Sequence, residues 1–157
     1  MGKMVLNNPT EAKFVALTAP DGVTPFESPR LPELAAAEFL IQPISPAMEE
    51  EWQKRFRVCR KCGGWGMVPY GDNVLAICPS CHDKEGAPSL NRLDIQLEIV
   101  PEFVLGWRSF ADSAGEQYDV CEENFRVLIE GVPGWFAAAK RAGIALFRQR
   151  AAASGKA

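Results

Sequence analysis

The sequence predicts a small α+β fold, with a β unit near the N-terminus, a cysteine-rich insertion and a helix-rich C-terminal half. Seven of the twelve prolines precede residue 50, which favours extended segments and turns over long helices there. Four of the five cysteines form two C-x-x-C pairs between residues 59 and 81. After residue 121, apolar residues recur at the three- and four-residue spacing of amphipathic helices.

Size and composition limit the function classes. With 157 residues the chain can form one domain or a domain with an insertion, but not separate cofactor and substrate domains. Hydrophobic residues make up 47% and charged residues 24%, as in globular proteins. A net charge of −3 gives no overall basic field, which argues against a protein that coats DNA. No apolar run resembles a membrane span or a signal peptide, so we expect a cytoplasmic protein without membrane contact.

The N-terminal third carries two strand candidates, residues 13–18 and 38–42, and a turn signal at residues 20–22. Two strands make a hairpin or a small sheet. A helix is then expected to begin at Pro46, with Ser45 as its N-cap, and to run into the cysteine-rich segment. These elements constitute the first of three predicted regions, residues 1–58.

The C-terminal region, residues 87–157, is predicted to be mainly helical. Residues 90–100 fit both a strand and a helix, and Pro101 is expected to break or kink whichever forms. A helical stretch is predicted for residues 102–110, followed by a turn at residues 112–115. Two further helices are expected, one over residues 121–129 that stops at Gly131 and a last one that starts at Pro133.

The segment between these regions, residues 59–86, has the spacing of a four-cysteine zinc ribbon. Its two C-x-x-C pairs are separated by fifteen residues, and they predict a Zn²⁺ site with the ligands Cys59, Cys62, Cys78 and Cys81. Residues 65–70 and 74–77 are the expected hairpin arms, joined by a turn at residues 71–73. Four thiolates leave no open coordination position, so we expect a structural zinc rather than a catalytic one.

The single histidine and the fifth cysteine are expected to have structural roles rather than to bind the metal. His82 follows Cys81, and because four cysteines complete the ligand set it is expected to be a surface residue or a hydrogen-bonding neighbour of the site. Cys121 lies far from both pairs and is interpreted as a small buried side chain or the start of a helix.

A nucleic-acid interface is the alternative that the ribbon leaves open. Five basic residues lie around the first cysteine pair: Lys54, Arg55, Arg57, Arg60 and Lys61. Such a cluster can contact phosphates, although neighbouring glutamates and aspartates reduce its positive potential. No phosphate-binding glycine loop, paired-carboxylate motif or nucleophile elbow is present in the sequence. We therefore expect a protein that is not an enzyme.

Residues 104–116, 121–129 and 132–136 resemble the tail assembly chaperones of long-tailed bacteriophages. The resemblance rests on Trp107 and Phe110, an Asp and Gly turn at residues 112–115, a helix start before Glu123 and Asn124, an apolar pair, and a short loop before a last helix. Residues 39–49 are similar to the strand, turn and helix near the start of many small tail proteins. Cys121 departs from the family, which usually has Ser or Thr as the N-cap.

The resemblance implies a protein–protein interaction role in virion assembly. A protein of this kind binds the long, helical tape measure protein and keeps it soluble in the host bacterial cytoplasm while the tail polymerises. The ribbon lies as an insertion between the N-terminal unit and the helices, and homo-oligomer formation stays open. The alternative function is a zinc-ribbon regulator that binds nucleic acid or a transcription complex.

Overall fold

The computed structural model describes residues 11–56, 67–69, 71–72, 74–77 and 92–153. The fold is mixed α+β, as the sequence predicts. The chain divides into two compact units, one formed by residues 1–45 and 97–157 and the other by residues 46–96. The sequence-based boundaries at residues 58 and 86 stay a prediction.

The first unit contains a three-stranded antiparallel sheet of order β1-β2-β5, formed by β1 (Lys13–Val15), β2 (Glu38–Ile41) and β5 (Val104–Arg108). The predicted pairing of the two N-terminal strands is confirmed, with Phe14 opposite Leu40. The turn at residues 20–22 is confirmed as well, since Gly22 donates to the Ala19 carbonyl over 2.9 Å with a φ of 77°.

Strand β5 contradicts most of the helix that the sequence predicted for residues 102–110, in which only residues 102 and 103 are helical. Val104 pairs with Ile41 and Trp107 with Phe39, and the register shifts between Leu40 and Ile41. This irregularity places an extra residue in β5, so that Val104 and Trp107 are both buried although three positions separate them. The spacing that resembled a helix is therefore the spacing of a bulged strand.

Two helices of the first unit are α3 (Glu122–Gly131) and α4 (Trp135–Ala153). Helix α4 begins at Trp135, two residues after the predicted start at Pro133, because Gly134 has a φ of 84°, which lies outside the helical region. Helix α3 ends at Gly131, as predicted. Phe125 and Leu128 of α3 are buried.

The core of this unit is aromatic. The ring of Phe39 lies 5.5 Å from Trp135, 5.8 Å from Phe110 and 6.0 Å from Trp107, between ring centroids. Trp107 also contacts Phe125 edge-on at 5.5 Å. These tilted and edge-to-face contacts stabilise the unit beyond simple burial.

At Gly143, helix α4 lies very close to the segment that follows β2. The Gly143 carbonyl accepts a hydrogen bond of 2.9 Å from the Ile44 amide. A Cβ atom built on Gly143 would lie 2.5 Å from Ile44 Cδ1 and 3.2 Å from the carbonyl oxygen of Gln42. Only glycine permits this approach.

The second unit contains α1 (Pro46–Arg55), a two-stranded hairpin and the first residues of α2 (Leu93–Phe103). Helix α1 begins at Pro46 as predicted, but it ends at Arg55, before the cysteines. Trp52 of α1 is 1% exposed. The ambiguous residues 93–100 are helical, and α2 continues two residues beyond Pro101.

Candidate functional site

The hairpin of the cysteine-rich segment is formed by β3 (Met67–Pro69) and β4 (Leu75–Ile77). The strands are antiparallel, with Met67 opposite Ile77 and Pro69 opposite Leu75. Gly71 in the connection has a φ of 82°, which favours glycine. The predicted hairpin and its turn are therefore confirmed over the described residues.

The four predicted zinc ligands, Cys59, Cys62, Cys78 and Cys81, lie outside the described residues, as does His82. Within the described ranges, no group of three or more His, Cys, Asp or Glu side chains is arranged to hold a metal ion. The zinc site stays a prediction based on the cysteine spacing and on the hairpin between the two pairs.

Two of the five basic residues near the first cysteine pair lie on the described part of α1, and both form ion pairs there. Lys54 Nζ lies 3.5 Å from Glu50 Oε1, and Arg55 pairs with Glu51 one turn earlier. Arg57, Arg60 and Lys61 lie outside the described residues. Pairing with glutamates reduces the positive charge that Lys54 and Arg55 offer to a phosphate.

Cys121 is exposed, which contradicts the prediction of a buried side chain. It occupies the N-cap position of α3, as the alternative interpretation expected, but its side chain makes no capping hydrogen bond. The Asn124 side-chain amide instead donates to the Asp119 carbonyl over 2.7 Å, which fixes the entry to the helix. Cys121 therefore has the backbone geometry of an N-cap residue but lacks the hydroxyl oxygen with which Ser or Thr accepts the capping hydrogen bond.

The turn that follows β5 is held by Asp112. Its Oδ1 accepts hydrogen bonds of 2.9 Å from the amides of Ala114 and Glu116, and Gly115 has a φ of 85°. The returning chain is anchored by the Trp107 indole N–H, which donates to the Tyr118 carbonyl over 2.8 Å. The Asp and Gly turn predicted from the sequence is confirmed.

Tyr118 forms a long-range hydrogen bond that the sequence does not indicate. Its hydroxyl donates to Glu33 Oε2 over 2.5 Å, although 85 positions separate the residues. Because this bond stabilises the neutral phenol and the ionised carboxylate, it raises the pKa of Tyr118 to about 12 and lowers the pKa of Glu33. The bond ties the segment that precedes α3 to the short 3-10 helix Pro32–Ala36, which precedes β2.

Two arginines of α4 contact the N-terminal segment of the chain. The Arg141 guanidinium donates to the Thr18 carbonyl over 3.0 Å, and Arg150 pairs with Glu11 Oε1 over 2.8 Å. Both contacts tie α4 to residues that flank β1.

Comparison with protein-family models, curated proteins and solved structures finds no match to this chain. The resemblance to tail assembly chaperones therefore rests on its sequence motifs. Among the helices of the described ranges, none has the length and apolarity that a membrane crossing requires.

Proposed function

We propose that this chain is a non-enzymatic, tail assembly chaperone-like protein that binds the tape measure protein of a bacteriophage and carries one structural Zn²⁺ in an inserted ribbon. The observation that carries the proposal is the order of motifs and elements from residue 104 to residue 136. Each motif of the resemblance coincides with one structural element there.

The coincidence can be followed along the chain. Trp107 is buried near the end of β5, Phe110 is buried just after the strand, and the Asp112 turn follows them. Helix α3 then begins after an N-cap at Cys121, and a short loop with Gly134 leads into α4. These elements form a scaffold stabilised by an aromatic core, which suits a binding protein.

The zinc part of the proposal has separate support from the hairpin. Met67 and Ile77 are paired, while Cys62 lies five positions before the first and Cys78 one position after the second. The two cysteine pairs thus flank the same open end of the hairpin in the sequence. Four thiolates fit Zn²⁺, whose part is to fix the hairpin, since a complete thiolate set leaves no position for a substrate.

The chaperone proposal is tested by co-expression with a fragment of a bacteriophage tape measure protein. We expect the fragment to become soluble and to co-purify with the zinc-loaded chain. The matched control is the same fragment with its exposed leucines replaced by serine, which removes the apolar surface that a chaperone covers. A fragment that stays insoluble in the presence of the folded, zinc-loaded chain contradicts the proposal.

Deletion of α4 is not a suitable variant for this test. Trp135 and Ala139 are fully buried, and Gly143 packs against Ile44. Removing the helix therefore removes the core of the first unit, and a loss of client binding would report unfolding rather than a missing surface.

The regulator alternative predicts a different result. If the chain is a nucleic-acid-binding protein, a duplex oligonucleotide binds tightly at physiological salt and reversal of Arg57 and Arg60 abolishes the binding. The ion pairs of Lys54 and Arg55 favour weak, salt-sensitive binding instead.

A further inference from the structure

Helix α4 forms one side of a surface groove in the first unit. The opposite side is formed by β1 and the turn that follows it, and the volume is about 510 Å³. Apolar and basic side chains share the lining, which includes Val15, Thr18, Arg141, Ile144, Ala145 and Arg148. A groove of this composition suits an amphipathic segment rather than a small polar molecule.

The charge of the groove is positive. Of the described residues that line it, two are arginines and none is acidic. Arg141 is held by its hydrogen bond to the Thr18 carbonyl. Arg148 is exposed and forms no ion pair with any residue in the described ranges. An occupant with carboxylates beside apolar side chains would complement both features.

The chain itself presents such a surface on α3. Glu123, Val127 and Glu130 are exposed and lie four and three positions apart, which places them on one side of the helix. Val127 is 54% exposed, an unusual value for a large apolar side chain. Arg126 neutralises part of the charge, since it lies 3.9 Å from Glu130. We call Glu123, Val127 and Glu130 the α3 face.

The groove and the α3 face are separate surfaces, because no α3 residue is among the described residues that line the groove. One molecule can therefore use both at once, each with a different neighbour. We propose that the groove binds the α3 face of a second copy of this chain, so that copies associate head to tail. Such an interface is heterologous and does not close at two subunits.

The contact combines two weak contributions. Val127 adds apolar burial beside Ile144 and Ala145, while the glutamates of the α3 face meet the arginines of the groove. Because the charges are exposed, added salt screens their attraction over a Debye length of about 8 Å at physiological ionic strength. The association should therefore be strongest in dilute buffer. It does not depend on the tape measure proposal, since only copies of this chain take part.

The test uses two full-length variants and sedimentation equilibrium at low salt. Arg148→Glu is the groove variant and leaves the α3 face intact, whereas Val127→Arg is the face variant and leaves the groove intact. Both positions are exposed, so both variants should fold. We expect the average mass of the wild type to rise with concentration and each variant alone to associate at least about tenfold more weakly.

An equimolar mixture of the two variants provides the decisive measurement. The groove of the face variant can still accept the α3 face of the groove variant, and no further copy can add. The mixture should therefore form species with the mass of two chains and none larger. Val74→Arg is the matched control, because Val74 is 51% exposed but lies on the hairpin segment. It should associate like the wild type.

Three results would overturn the proposal. The first is a wild type that keeps the mass of one chain at every concentration in low salt. The second is a mixture that stays monomeric, which would place the contact elsewhere. The third is a monomeric wild type whose binding to a tape measure fragment is lost in Arg148→Glu, which would assign the groove to another protein.

Discussion

Replacing Gly143 by alanine tests the close approach of α4 to the segment after β2. The added Cβ would lie 2.5 Å from Ile44 Cδ1 and 2.6 Å from Ile44 Cγ1, about 1 Å inside ordinary carbon contact distance. Ile44 is 1% exposed, so its side chain has little room to move away. The helix cannot retreat without stretching the 2.9 Å hydrogen bond from the Ile44 amide.

The magnitude follows from two opposing effects. Overpacking of a buried site costs about 1–3 kcal/mol, and two overlapping carbons place this site near the upper end. Alanine is favoured over glycine within a helix by about 1 kcal/mol. We therefore expect Gly143→Ala to lower the free energy of unfolding by about 2 kcal/mol. Gly131→Ala is the matched control, because no atom lies within 4 Å of the Cβ it adds. It should be neutral or slightly stabilising.

The measurement is urea unfolding followed by tryptophan fluorescence and helical circular dichroism. A double-mutant cycle with Ile44→Ala separates steric conflict from other causes. Ile44→Ala alone should cost about 2–5 kcal/mol, but in Gly143→Ala the new methyl group occupies part of the vacated space. The two costs should therefore fall short of additivity by about 1 kcal/mol or more. Additive costs, or a Gly143→Ala variant as stable as Gly131→Ala, would refute the reasoning.

Two further predictions concern the zinc site and the Tyr118 hydrogen bond. Metal analysis should find one zinc per chain and its loss in Cys62→Ser, while Cys121→Ser retains it; the helical signal of the first unit should survive in both variants. In a Tyr70→Phe background, absorbance titration should show Tyr118 ionising near pH 12, and Glu33→Gln should move that midpoint toward the ordinary value of 10.0. Since the folded pKa is the higher one, the contribution of this bond to stability is complete below pH 10 and is lost as the pH rises through about 12.

Local signals predicted the local elements well. Pro46 after Ser45 marked the start of α1, and the glycine at residue 71 marked the hairpin turn, because both depend on backbone preferences of a few residues. Gly131 likewise marked the end of α3. The metal ligands were predicted in the same way, from spacing alone.

Features that depend on distant residues were not predictable. Within the helix expected for residues 102–110, residues 104–108 are a strand because β2 supplies their hydrogen bonds, and the bulge beside Leu40 hides the alternation that would have revealed it. The groove beside α4 and the bond between Tyr118 and Glu33 depend on elements far apart in the sequence. No short-range pattern encodes such pairings.

The position of β5 in the sheet affects the order in which the chain can fold during its synthesis. Ile41 pairs with Val104, roughly 60 residues later, and closing a loop of that length costs about 4 kcal/mol in chain entropy. The predicted zinc site lies within this loop and would shorten it. Because the entropic cost depends on the logarithm of loop length, that shortening would reduce the cost by only a few tenths of a kcal/mol.

At about 5–20 residues per second, a ribosome needs several seconds to make β5 after β2, and longer to make α4. Throughout that interval Phe39 and Ile41 lack the partners that bury them in the finished fold. The nascent chain thus exposes the apolar side of an incomplete sheet. We therefore expect general holding chaperones to bind this nascent chain during translation.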